Sequence, residues 1–307
     1  MAFVYHSDDG NTLTKSQEDI LETIENLPFP FGGISKFKDL RSIINLVVCV
    51  SEGTDWESYM SQYTALHDEF YGGKHAPACH RHQGEIGFRR NFAEEQIRRS
   101  KEPKDEFLPL LGLYSRTYQW WKGRCRPKVG LIADSIEEYA LKADLNEDIV
   151  FGIVFIQEMM HAYFDSFNSK GYPSIEPLEE SFAEFAMLAF IDQSPTIRGM
   201  LPYAKDYVIS RIGKEPRGFG YGIELFERAS EDATKLIRRY RKISNWTEPP
   251  FLYKNSYADS MRKYEADPSE ENADKVYEDI IEILNKDWEQ PFDPIQPAIG
   301  EPWDFDR

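Results

Sequence analysis

Cysteine is scarce in this chain of 307 residues, and the three present, Cys49, Cys79 and Cys125, are far apart and odd in number. That excludes a disulfide framework and suits reduced thiols in a cytoplasmic protein. Long hydrophobic runs are lacking too. The longest, IINLVVCV, is far short of the roughly 20 residues needed to span a bilayer. The opening MAFVYHSDDG has no charged segment followed by an apolar stretch, so no secretory signal is expected. Positive charge is in deficit, with 36 Lys and Arg against 53 Asp and Glu, a net charge of -17. A general nucleic-acid binder or an anionic-membrane binder needs a basic surface, so both classes are excluded. The balance favours polar or basic partners. Internal repeats and low-complexity blocks are also missing.

What is there is the composition of a globular protein, 41% hydrophobic and 29% charged, with enough chain for a substantial core. TKSQEDILETIENL, at 14–27, predicts a helix with Ser16 as its N-cap, stopped by LPFPFGG. RSIINLVVCV, EIGFRRNF and KVGLIAD predict short strands. SIEEYALKADL opens with Ser135 and Glu138 at capping-box spacing, and Asn146 is placed to cap the helix that follows. That helix, through IVFGIVFIQEMMHAYFDSF, is apolar nearly all round, which predicts a central buried position. LEESFAEFAMLAFI is the next helix, and three amphipathic stretches near 223–243, 254–266 and 269–288 follow. The expected class is α+β, with a small mixed or antiparallel sheet in the first half and a mainly helical second half. Residues 1–128 form the expected sheet-bearing lobe, 129–212 the core with the two site helices, and 213–307 a helical lobe with an irregular tail. These are expected to be lobes of one structure.

Within the central helix, VFIQEMMHAYFD carries three polar residues, Gln157, Glu158 and His161. Positions 157 and 161 are one turn apart and share a face, while Glu158 is offset from Gln157 by about 100°. A catalytic zinc takes three protein ligands and keeps a fourth position for water. On the following helix Glu180, in EESFAEF, lies nineteen positions after His161. Together these residues resemble the gluzincin superfamily of zinc metallopeptidases, with its H-E-x-x-H helix and a glutamate ligand on the next helix. The resemblance covers about 129–190. It implies a zincin-like fold, His161 and Glu180 as zinc ligands, and Glu158 as the general base of peptide hydrolysis. Gln157 stands where the first histidine ligand belongs. Its neutral amide is a poor zinc donor, so zinc is expected to be weakly held or absent.

Two functions therefore stand side by side. One is a zinc-dependent metallopeptidase acting on peptides or proteins. The other is an inactive relative whose cleft binds a peptide or partner protein. Asp165 is a candidate for orienting a ligand from behind, and Glu184 for the same or for standing in as a ligand; either can instead be a solvated acid, and Glu179 is expected on the surface. HAPACHRHQGE gathers His75, Cys79, His80, His82 and Glu85 at a spacing that matches no zinc finger, and is expected to be a polar loop, the alternative being a loop that lines the cleft and touches substrate or metal. RGFGYG reads as a turn, because it lacks the strand-then-helix setting of a dinucleotide site. Tyr172, Tyr221 and Arg217 are candidates for contacting a reacting carbonyl. Substrate, biological role and oligomeric state are left open.

Overall fold

The computed structural model describes residues 13–44, 46–51, 111–115, 118–119, 124–125, 128–166, 176–212, 218–229, 232–243 and 249–285. Helix α1 (Lys15–Asn26) is closed at its start by Thr14, whose hydroxyl accepts the Gln17 N–H while the Gln17 side chain takes the Thr14 N–H. Thr14 is thus the cap, not Ser16. The Ser16 hydroxyl donates to Asp148 at 2.5 Å, and Gln17 bonds Glu147 at 2.9 Å, which docks α1 on the start of the central helix. Helix α2 (Asp39–Ile43) takes up the beginning of the segment expected as a strand, leaving β1 as Val47–Ser51.

The other strands are short: β2 (Gly112–Ser115), β3 (Tyr118–Gln119), β4 (Arg124–Cys125) and β5 (Lys128–Ile132). β5 pairs with β1 in parallel and with β2 antiparallel. These ladders do not make a sheet-bearing half, and the α+β expectation is corrected: the molecule is mainly helical, 74% helix with eleven helices among the described residues. The physical reason lies in run length. The strands are at most five residues long, with a helix ending shortly before β1 and another starting directly after β5. EIGFRRNF and the His75–Glu85 segment lie outside the described residues.

β5 leads straight into α3 (Ala133–Ala143), which begins at Ala133 with no side-chain cap. The Ser135–Glu138 box therefore does not form, since Ser135 is already inside the helix and its N–H is held by Asp134 at 2.9 Å. Asn146 does cap α4 (Glu147–Asp165), accepting the Ile149 N–H at 3.2 Å. Every residue of α4 from Val150 to Phe164 is buried, as an all-round apolar helix must be. α4 packs on α1, α3, β2, β5 and α5 (Glu176–Gln193). On these two helices Ile153, Ile156, Met160, Phe182 and Phe185 are fully buried, and Phe164 is nearly so. Ile149 is only partly buried, because it lies in the first turn.

Five further helices surround this pair after the short α6 (Pro195–Met200): α7 (Ala204–Arg211), α8 (Tyr221–Arg228), α9 (Ala233–Ile243), α10 (Pro249–Ala266) and α11 (Glu270–Asn285). One hydrophobic core runs through them all, from Ile20 to Leu284. Aromatic contacts knit it together: Phe182 stacks on Tyr240 of α9 at 4.1 Å, and Phe164 meets the same ring edge-on at 4.8 Å. Among the described residues no helix is long and apolar enough to cross a membrane.

Candidate functional site

The α4 and α5 helices bring Glu158, His161, Glu179 and Glu180 to one place. His161 is 7% exposed. Its Nε2 lies 3.5 Å from Glu180 Oε2, and its Nδ1 lies 3.3 Å from Glu179 Oε1. The glutamate expected on the surface is therefore bonded to the histidine at the centre of the site. Burial alone would push the His161 imidazole down, but the Glu180 charge and the hydrogen bonds to Glu179 and Glu180 outweigh it and hold it well above its ordinary range.

Glu158 sits one turn before this bracket. Burial raises its carboxyl to about 7, against the lowering pull of His161 and with help from the Glu180 charge. It accepts the backbone N–H of Tyr114 in β2. Gly112 makes this approach feasible, since a Cβ there would stand 2.9 Å from Glu158 Oε1 and 2.6 Å from Val154. The Tyr114 hydroxyl in turn donates to Asp165 at 2.5 Å, so one strand residue is fastened to both ends of the last turns of α4. Asp165 thus serves β2.

Glu184 has a different task from the one expected. Fully buried, it accepts the N–H groups of Gly220 at 2.8 Å and Ile223 at 3.0 Å, and that of Gly222 as well. It holds the N-terminal end of α8, where helix N–H groups lack partners of their own. RGFGYG supplies the geometry: Gly220 has φ +89°, and a Cβ on Gly222 would lie 2.6 Å from the Glu184 Cβ. Tyr221 is likewise committed elsewhere, its hydroxyl donating to the Ala273 carbonyl at 2.8 Å. Tyr172 and Arg217 lie outside the described residues.

Arg211, beside Glu158, is a residue that sequence reasoning did not name. It is 3% exposed, and its guanidinium lies over the rings of Tyr139 at 4.8 Å and Tyr207 at 5.6 Å. Its positive charge favours the ionised form of Glu158. The signal was available: Ala204, Tyr207, Val208 and Arg211 follow helical spacing, which puts the arginine on the inward face.

Whether these side chains fit a zinc ion can be judged from the donors. Two ligands of a tetrahedral zinc at 2.0–2.1 Å lie roughly 3.4 Å apart, and His161 Nε2 and Glu180 Oε2 are 3.5 Å apart. The position on α4 that would carry a third donor differs in kind. Gln157 is buried on the same face of α4 but offers an amide. Among the described residues no group of three or more His, Cys, Asp or Glu is placed to hold an ion. Among the described residues, His161 and Glu180 thus offer two of the three donors that a catalytic zinc takes.

Comparison with protein-family models, with curated proteins and with solved structures finds no match.

Proposed function

We propose that the protein is a metallopeptidase-like protein of the gluzincin type in a non-hydrolytic form, whose site binds a peptide or a segment of a partner protein. One observation carries this reading: His161 and Glu180 stand at ligand spacing while the first-ligand position holds the amide of Gln157. Such a helix pair has the layout of a zinc peptidase without its full donor set. The net charge of -17 favours a basic or polar ligand over an acidic one.

A second reading, an active zinc-dependent metallopeptidase, is favoured by Glu158. A buried carboxyl near neutrality is what a general base requires. The two part on one preparation. The protein is incubated with zinc, dialysed, assayed for bound metal and tested on an unfolded protein substrate. The proposal expects well under one equivalent of zinc and no hydrolysis above a Glu158→Gln control. A full equivalent of zinc, with chelator-sensitive hydrolysis lost in Glu158→Gln, establishes the enzyme instead. The binding half is tested on a peptide array, where some peptides should bind the wild type and lose affinity in His161→Ala. If no peptide behaves so, that half fails.

A further inference from the structure

We infer that Glu179 is a positioning residue: by accepting a hydrogen bond from the Nδ1–H of His161 it fixes the imidazole ring, so that Nε2 is the nitrogen turned to Glu180 and to any ligand of the site. The geometry is specific. Consecutive residues on a helix project about 100° apart, so Glu179 and Glu180 cannot converge on one point. They reach the two nitrogens of one ring instead, at 3.3 Å and 3.5 Å. A histidine ring has a broad, nearly two-fold torsional preference about its second side-chain bond. Without an anchor it can present either nitrogen. Where one nitrogen of a histidine meets a ligand, the other is commonly held by a carboxylate, which sets tautomer and orientation together.

The division of labour follows from surroundings. The His161 and Glu179 side chains are 9% and 17% exposed, against 24% for Glu180, so the Nδ1 side is the more enclosed of the two. The rotation of α5 that puts Glu179 there is itself fixed. Glu184 is clasped by the start of α8, and Phe182 is stacked on Tyr240. Glu179 thus orders the histidine without itself meeting the ligand.

This inference rests on the reading above only in taking His161 as the centre of the site. Its test uses neither peptide, metal nor turnover, so either can fail alone. Imidazole 1H–15N spectra of the full chain are recorded, with the His161 signals assigned by their loss in His161→Asn. The wild type should show a solvent-protected proton on Nδ1. Glu179→Gln, whose amide oxygen accepts the same bond, should keep it, and Glu179→Ala should lose it. Glu180→Ala should keep the Nδ1 proton and move only the Nε2 signal. Circular dichroism checks that each variant is folded. If Glu179→Ala does not fold, the wild type and Glu179→Gln still decide the matter. A His161 protected only on Nε2, or an Nδ1 proton unchanged in Glu179→Ala, overturns the assignment.

Discussion

Glu184 accepts three backbone N–H groups, each of which favours its ionised form, yet burial dominates and raises its carboxyl to about 8. Its folded value stands above the ordinary 4.5. Its contribution to stability is therefore complete below about pH 4.5 and is lost as pH rises towards 8, by up to about 1.4 kcal/mol per pH unit. Glu184→Gln keeps an acceptor oxygen and removes the proton equilibrium. The variant should gain in melting temperature relative to wild type as pH rises from 5 to 8, read by thermal denaturation at several pH values. A difference that does not change with pH would show that Glu184 does not titrate there. Gln157→His tests the same scale at the other helix. It supplies the missing imidazole at the first-ligand position, so zinc should survive dialysis at one equivalent and raise the melting temperature. At a hundredfold excess over Kd the gain is about 2.7 kcal/mol. If the folded variant holds zinc no better than wild type, His161 and Glu180 are not placed as ligands. His161, Glu158 and Glu180 stood out in the sequence through their resemblance to the gluzincin helix pair. The sequence hid Glu179, because an acid beside an acid on a helix reads as solvent-facing until the partner ring is in place.

The α5 helix holds Glu179 and Glu180 in place because it is gripped on two sides. Phe182 is buried against Tyr240 and Phe185. Truncating it to alanine should cost about 3–5 kcal/mol, through lost transfer energy and the cavity left behind, measured by chemical denaturation. A loss well below that would mean the stack does not hold α5. On the other side, Gly222→Ala forces a methyl group to within 2.6 Å of the Glu184 Cβ. Overpacking of this kind costs about 1–3 kcal/mol. α4 was legible because fifteen buried positions in succession leave no polar face to conceal. The N-terminal end of α3 was not, because Ser135 and Glu138 carry the capping pattern while β5 feeds the chain into the helix three residues sooner. The α+β expectation failed in a related way. A β-branched run shows that a strand can form, but not how small a part of the molecule it makes.

At the scale of the whole molecule, the three expected lobes share a single core. Arg238 of α9 donates to the Phe31 carbonyl at 3.0 Å across 207 positions of sequence, and Tyr163 of α4 donates to Gly32 in the same turn at 2.9 Å. A chain ending at residue 212 would lose the α8 clasp on Glu184 and the Tyr240 ring together. It should show no cooperative unfolding transition by circular dichroism, whereas the full chain should; a cooperative fragment would mean that the site helices fold without the C-terminal part. These ties between distant segments leave no trace in local pattern, since an arginine on an amphipathic helix looks the same whether it meets water or a distant carbonyl. The clasp also has a consequence in time. The amide protons of Gly220, Gly222 and Ile223 all point at one carboxylate sealed from solvent, and they can trade for deuterium only when α8 lifts from α5. Their exchange rates should therefore move together and count the openings of that joint, giving a clock for the motion that would first release the helix bearing Glu179 and Glu180.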